Sequence, residues 1–475
     1  MCGLYDKRFA IPDIPVSLSR NIRSILIALE RFMQVSLSYR QIVKIAAPIS
    51  LALVVPQVNH MTNTAFLGRL GDFELAANAI AGIYYLVMYM VAYGLNNGIQ
   101  IMIARRAGEN NYEGIGKVFS NGIFLCVAFS MLAIATTYIF APAIFKASLH
   151  DAHIFDAAVS FIKIRIWGLP FLMLLGLANA FYIGSSHTKI LIVTSLFQEL
   201  FNIFFDYTLI FGKLGFSPLG LNGAAVASII AEGIGCAVAF GMLFILKFYK
   251  RYYLFKSLRF RWNIAKHTLI VSAPLIVQYL FSIGSWMVFF IFIEHLGQRP
   301  LAISNMMRSI FGFFGIFTWA LGATCNTMVS NLIGQGRQDD VFKAIRMIGA
   351  LSLGCAVFVC TLLNIFPYTL LHIYTPDNSL ITEAIPTIRV VSLSTVLTAI
   401  AAIVFNGVTG TGNTKVNLVI EFSAVICYLI YCEIVIEQWR KPLHWAWGSE
   451  FLYWLVVISL CLLYLRSGRW KNKQI

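Results

Sequence analysis

Glu199, Asn202 and Asp206 stand at i, i+3 and i+7 within an otherwise apolar stretch, a spacing that sets them on one face of an α-helix. In another such stretch Asn59, His60 and Asn63 lie close together, and in a third Ser228 and Glu232 are four residues apart. A charged side chain inside a bilayer is costly and marks function more often than packing. A carboxylate occupied by a cation in one conformation but not in another couples ion movement to a change of state. Burial disfavours the charged form of a carboxylate, and a second carboxylate nearby disfavours it further, which suits proton exchange near neutral pH. Carboxylate, amide and hydroxyl oxygens equally suit a hard cation such as sodium. Asp206, supported by Asn202, Asn63 and Ser228, is therefore the expected cation-responsive centre, with Glu199 or Glu232 as a second carboxylate. His60 is a candidate proton relay, and sodium at Asp206 and Asn202 is the single metal site in view.

The elements that must position these groups follow from composition. Of 475 residues, 59% are hydrophobic and 12% charged, with a mean hydropathy of +0.77; a soluble globular chain carries about twice that charged share. A bilayer core of roughly 30 Å needs about 20 apolar residues per helix, and apolar segments recur from residue 44 to residue 465 often enough for twelve spans. Residues 1–43 read as a cytoplasmic N-terminal extension in which Ile22, Ile25, Leu26, Leu29 and Phe32 oppose Arg20, Arg23 and Arg31, the pattern of a helix lying on a membrane surface; a disordered or non-native extension fits the segment equally well. The nine cysteines include no Cys-x-x-Cys pair, so neither a zinc site of that kind nor a disulfide framework is expected. His150-x-x-His153 falls in an outer loop and reads as exposed rather than metal-binding.

Charge sets the orientation. With both termini cytoplasmic, 26 Lys and Arg residues lie on the inner side and 6 on the outer, the bias expected of cytoplasmic loops. The formal net charge of +15 is thus topological and gives no support to nucleic-acid binding. Lys163, Arg165, Arg308 and Arg389 fall in the outer parts of spans, where long basic side chains reach for the surface; a carboxylate partner for them is unassigned. Glu421, near the inner end of its span, reads as a solvated interfacial carboxylate.

The chain also repeats itself. Pro48 pairs with Pro274, and the same offset of 226 residues joins Leu70-Gly71 to Leu296-Gly297, Gly108 to Gly334, Lys117 to Lys343 and Gly184 to Gly410 without a gap. Each repeat holds six spans, an even number, so the halves share one orientation and are related by an axis along the membrane normal. The expected fold is an all-α membrane protein of twelve transmembrane helices in two pseudo-symmetric six-helix lobes, V-shaped around a central cleft. The N-terminal lobe takes 44–247, a basic linker 248–266, the C-terminal lobe 267–465 and a tail 466–475. The second repeat has Tyr428 and Cys432 where the first has Asn202 and Asp206.

Gly68-Arg69-Leu70-Gly71 with Leu75-Ala76-Ala77 resembles a signature of the multidrug and toxic compound extrusion (MATE) family of efflux transporters. Asn202-Ile-Phe-Phe-Asp206, Gly223-Ala-Ala-Val-Ala-Ser228 and Gly410-Thr-Gly-Asn-Thr-Lys415 resemble others in the same order. The resemblance implies two lobes, alternating access, and export of organic cations or amphiphilic drugs from the plasma (inner) membrane, as an antiporter driven by inward proton or sodium flow. It carries over Asn202 and Asp206 directly and Ser228 as a hydroxyl. It departs at Asn63, where the family commonly has an aspartate, and at Ser282 and Ile283, near a family glutamate.

Tyr84, Tyr85 and Tyr89, with Trp286 and Trp319, are candidates to line the cleft and hold aromatic cations. No phosphate-binding loop or nucleophile constellation is visible, so no enzyme activity and no cofactor beyond the coupling ion are expected; the expected partners are small organic cations and the bilayer, with the chain a monomer. The rival functions are a lipid-linked oligosaccharide flippase, which would want paired basic residues in the cleft, and a membrane-embedded enzyme, which would want a converging nucleophile or metal cluster.

Overall fold

The computed structural model describes residues 34–149, 151–256 and 258–471, with His60 and Asp72 described by their backbone alone. The surface helix expected around residues 22–32 and the His150 position lie outside the described residues.

Twelve helical segments are long and apolar enough to cross a membrane: α1 Tyr39–Gly68, α2 Phe73–Gly108, α3 Tyr112–Ser148, α4 Ala152–Gly184, α5 Lys189–Phe211 and α6 Gly220–Ile245, then α7 Trp262–His295, α8 Gln298–Gly334, α9 Gln338–Ile365, α10 Asn378–Gly410, α11 Thr414–Gln438 and α12 Leu443–Arg466. With backbone groups unable to find water in hydrocarbon, a helix that satisfies them internally is the form such apolar runs must take. At 1.5 Å per residue, the 37 residues of α3 and of α8 exceed the bilayer core, so their ends stand clear of it. An even number of spans returns the chain to the side on which it started, here called the termini side.

Local turns carry the repeat into three dimensions. Gly71 and Gly297, one repeat apart, precede α2 and α8 with φ of 154° and 111°, a region that an L side chain resists and glycine enters freely. Pro48 in α1 and Pro274 in α7 occupy matching positions inside their helices, where each removes a backbone donor.

Side-chain packing divides the molecule along its length. One buried apolar core takes residues from both lobes, including Ile42, Leu95, Ile103 and Phe119 from the first and Leu321, Met328, Ile345 and Val408 from the second. Further from the termini side the core splits. Leu67, Ala77, Phe145, Phe161 and Ile210 form a cluster confined to the N-terminal lobe, and Phe289, Ile303, Met307, Ile388 and Trp447 form one confined to the C-terminal lobe. Two six-helix lobes therefore share a core at one end and part at the other, the V around a central cleft.

The shared end is closed by polar groups as well. Gln100 Nε2 donates to Thr327 Oγ1 at 3.0 Å, Asn326 Nδ2 to Asn97 Oδ1 at 2.8 Å and Asn97 Nδ2 to Tyr279 Oη at 2.6 Å. Arg105, buried, donates to the carbonyls of Ser330 at 3.1 Å and Thr411 at 3.0 Å, while Asn331 Nδ2 reaches the Ala104 carbonyl at 3.2 Å. Glycine brings the backbones together, since a Cβ on Gly94 would lie 2.7 Å from the Cα of Ile276, the close approach that small residues permit between membrane helices. Among the described residues, hydrogen bonds between the lobes come from the stretch of α2 from Leu95 onward and the neighbouring residues of α7 and α8, together with Thr411. The linker is held to the N-terminal lobe, with Ser120 Oγ donating to the Leu254 carbonyl at 2.5 Å and the Arg261 backbone N–H to Asn121 Oδ1 at 2.8 Å.

Candidate functional site

The helix that carries the expected centre is fixed at its far end. α5 stops at Gly212, whose φ of 64° is left-handed and whose added Cβ would meet Pro218 at 2.7 Å. Asp206 sits six residues before that stop, about 9 Å inward along the axis. Glu199, Asn202 and Asp206 are 5%, 4% and 0% exposed, so the face predicted from their spacing is turned into the lobe, where α5 packs on α1 and α6.

What meets that face is a set of polar atoms with little to bond. Asn59 Nδ2 donates to Asn202 Oδ1 at 2.6 Å. Both carboxylate oxygens of Asp206, Oε2 of Glu199, Oδ1 of Asn59, Oδ1 of Asn63 and Nδ2 of Asn202 are buried without a hydrogen-bond partner among the described residues. A buried acceptor left unmade costs about 1–3 kcal/mol, and a charged one more. The group is rich in acceptor oxygens: Asp206 offers two and each asparagine one, on α1 and α5. Ser228 is half-buried on α6 and makes no hydrogen bond to them among the described residues. The side chain of His60 lies outside the described residues.

Glu232 is differently placed. Its Oε1 and Oε2 receive Arg165 Nη2 and Nη1 at 2.5 and 2.9 Å, a two-point pair with side chains only 12% and 6% exposed for Arg165 and Glu232. Tyr85 Oη donates to Glu232 Oε1 at 3.3 Å, and the Arg165 guanidinium lies 3.9 Å from the centre of the Tyr85 ring. The geometry depends on a break in α4, where three residues, Ile166–Gly168, form a 3-10 turn between two α-helical stretches. A Cβ on Gly168 would strike the pair, coming within 2.5 Å of Arg165 Nη1. Arg165 was expected to reach the surface; it turns inward because a carboxylate waits one helix away, at a separation of 67 residues that no local pattern reveals. Arg308 and Arg389 remain exposed. The Arg165 charge and the carboxylate of Glu199 both act on Asp206, so the ion pair and the unbonded carboxylates form one electrostatic neighbourhood.

The C-terminal lobe handles its acids in another way. Glu421 is 1% exposed, and its Oε1 accepts from Ser282 Oγ on α7 and, at 2.9 Å, from Tyr453 Oη on α12. The expectation of a solvated interfacial carboxylate is corrected: depth along one helix says nothing about its lateral neighbours, and α7 and α12 wall this one in. Glu450, also buried, accepts from Trp454 Nε1 at 3.0 Å. Where the first lobe has Asn63, Asn202 and Asp206 the second has Phe289, Tyr428 and Cys432, all buried.

The candidate aromatic residues separate. Tyr84 donates to Thr137 Oγ1 at 3.2 Å and packs edge-on to Phe145 inside its lobe. Trp286 packs among Phe290, Phe311 and Trp447 of the other lobe. Tyr89 stacks toward Tyr93, whose ring is 4.9 Å from that of Tyr279 across the lobes. Trp319 is 46% exposed. No group of three His, Cys, Asp or Glu side chains arranged to hold a metal occurs among the described residues.

The MatE family profile matches residues 48–208 and 274–434, two stretches that recur at the offset seen in the sequence. A probable multidrug resistance protein NorM of Thermotoga maritima is 24% identical over 443 residues, which cover 92% of this chain and 94% of its own. The multidrug resistance protein MdtK of Edwardsiella ictaluri is 22% identical over 335 residues, 68% of this chain and 70% of its own. Among solved structures, a transporter of the MOP superfamily from Pyrococcus furiosus, described as having a binding pocket of reverse polarity that suggests a different function, has a TM-score of 0.84 at 16% identity, over 93% of this chain and 98% of that one. A multidrug resistance MATE family transporter in an outward-facing conformation also has a TM-score of 0.84 at 16% identity, over 92% and 97%. With both repeats matched and the two-lobe fold shared over nearly its whole length, the chain belongs to the MATE family of multidrug efflux transporters.

Proposed function

We propose that this protein exports cationic and amphiphilic compounds across the plasma (inner) membrane by alternating access, as an antiporter driven by proton or sodium entry at Asp206. The observation that carries this reading is the fully buried Asp206 carboxylate, neither oxygen of which has a hydrogen-bond partner among the described residues. Such a group is far better off neutralised, by a proton or by a cation that the amide oxygens of Asn59 and Asn63 would help to ligate. It therefore responds to ion supply with a change in the stability of whichever state encloses it. The sequence count of 26 basic residues on the inner side against 6 on the outer supports cytoplasmic termini, and with that orientation a molecule closed at the termini side faces outward. Substrate enters between the lobes from inside, the lobes rock, and ion binding near Asp206 favours release outside.

The flippase reading has less to stand on, because the buried arginine best placed to receive a phosphate, Arg165, is committed to Glu232. The test is efflux of a fluorescent organic cation from loaded proteoliposomes under a pH gradient and, separately, a sodium gradient, for wild type and Asp206→Asn. The expected result is that one gradient drives wild-type efflux and the variant, folded, loses at least about 100-fold in rate, near 3 kcal/mol in barrier terms. Equal efflux by the variant would remove Asp206 from the mechanism.

A further inference from the structure

A recess of about 430 Å³ opens on the termini side at the seam between the lobes. Its walls come from α2 and α3 of the first lobe and from α7 of the second. Met102, Val118 and Ile264 give it an apolar floor, and Arg106, Lys117 and His267 stand around its mouth. Glu109 pairs with Arg106 and Glu113 with Lys117, each at 2.8 Å. These two acids are outnumbered, because the charges of Lys256 and Arg261 also reach Glu113 and Lys266 lies exposed beside His267. The recess is thus positive while accepting apolar matter at its base.

A second feature adjoins it. Along α3, Gly114, Lys117, Asn121 and Phe124 follow one another at i, i+3, i+7 and i+10, a single helical face. Asn121 receives the linker through the Arg261 backbone N–H, which lays Phe260 against Phe124 with ring centres 6.0 Å apart and Trp262 against Phe260 at 6.2 Å. All three rings are exposed, Phe124 37%, Phe260 49% and Trp262 62%. A basic recess continued by an exposed aromatic strip into the membrane is the outline of a lipid: head toward Arg106, Lys117 and His267, acyl chain along Phe124.

We propose that this recess binds the headgroup of an anionic phospholipid from the leaflet on the termini side, with its chain on the Phe124–Phe260–Trp262 strip. Basic pockets between membrane helices recognise such headgroups, and aromatic rings settle at the same depth. Because α2 and α3 belong to one lobe and α7 to the other, the bound lipid ties the lobes together at the closed end and stabilises that conformation by mass action.

The test uses the full chain purified in detergent and titrated with dioleoylphosphatidylglycerol, dioleoylphosphatidylcholine or inorganic phosphate, with the thermal unfolding midpoint as readout. Phosphatidylglycerol should raise the midpoint saturably, and the other two should leave it unchanged. Lys117→Gln with His267→Gln, the first at a half-buried and the second at an exposed position, should keep the wild-type midpoint in phosphatidylcholine but need at least about fivefold more phosphatidylglycerol for half the shift. Phe124→Ala should weaken the response to the lipid by a similar factor, which separates loss of the chain contact from loss of charge. An equal shift with phosphatidylcholine, a shift reproduced by inorganic phosphate alone, or an unaltered phosphatidylglycerol response in the double variant would each overturn the proposal.

Discussion

The two lobes share a frame of helices, turns and prolines but differ in how they treat the buried acids Asp206, Glu421 and Glu450. In the N-terminal lobe Asp206 has no donor for either oxygen among the described residues, and Asn59 and Asn63 each leave an acceptor unmet among them. In the C-terminal lobe Glu421 receives O–H donors from two neighbouring helices, and Glu450 an indole N–H from one turn further along its own helix. A carboxylate already supplied with donors gains less from a proton or cation than one without them, so on the proposed function Asp206, rather than Glu421 or Glu450, is the group placed to respond. Duplication copied the scaffold, and the chemistry diverged on it.

The strongest way to break this comparison is to move the charge. Asp206→Asn should abolish ion-driven efflux with no loss of thermal stability, because a buried carboxylate without a partner among the described residues is removed; adding Cys432→Asp, the repeat-equivalent position, should restore nothing and lower the unfolding midpoint, since Phe289 and Tyr428 stand where the first lobe has Asn63 and Asn202 and offer no amide oxygen to share a cation. Recovery of transport in the double variant would show the lobes to be interchangeable. Next in size is Arg165→Gln. It strands Glu232 in a buried site and should cost about 3–5 kcal/mol, read as a fall in the unfolding midpoint; Arg165→Gln with Glu232→Gln should recover most of it. The second lobe has Val391 and Ile458 at the corresponding positions and no pair to lose.

Smaller effects sharpen the contrast. Ser282→Ala deletes one of the hydroxyls that hold Glu421 and should cost about 1–2 kcal/mol while transport persists at wild-type rate; a transport loss as large as that of Asp206→Asn would make Glu421 an equal partner. Smallest is the loop between α4 and α5. There His187 packs 4.5 Å from Phe248, and burial, aided by the Arg251 charge, brings its imidazole down to about 4. A histidine held neutral in the folded state contributes stability that is fully present above its unfolded value of about 6.5 and is lost as pH falls toward 4. At pH 5.5 the loss should be about 1 kcal/mol, and His187→Gln should flatten the pH dependence of the unfolding midpoint between those limits.

Most of the frame was legible before any coordinate. The 226-residue offset, carried through Pro48 and Pro274, implied two alike lobes, and the spacing of Glu199, Asn202 and Asp206 placed them on one inward face because helical periodicity is a local property. Pairings between helices were not legible. Arg165 and Glu232 meet only because α4 breaks at Ile166–Gly168, and Glu421 is enclosed by residues more than 30 and more than 130 positions away. The polar seam at the closed end left a faint trace in the same offset, since Gln100 and Asn326, and Arg105 and Asn331, are repeat mates. Polar residues that recur at equivalent depths in both repeats are a signal that reading each lobe by itself overlooks.

That seam also bears on how easily the molecule can reverse itself. Had α2 and α8 met through leucine and phenylalanine alone, parting them would wet an apolar surface at roughly 25 cal/mol for every Å². Amides and a guanidinium lose only about 0.5–1.5 kcal/mol per bond when water takes the partner's place. Arg105, Gln100, Asn326 and Asn331 thread the shared apolar core with contacts that solvent can take over one bond at a time, so only part of the closure carries the apolar cost.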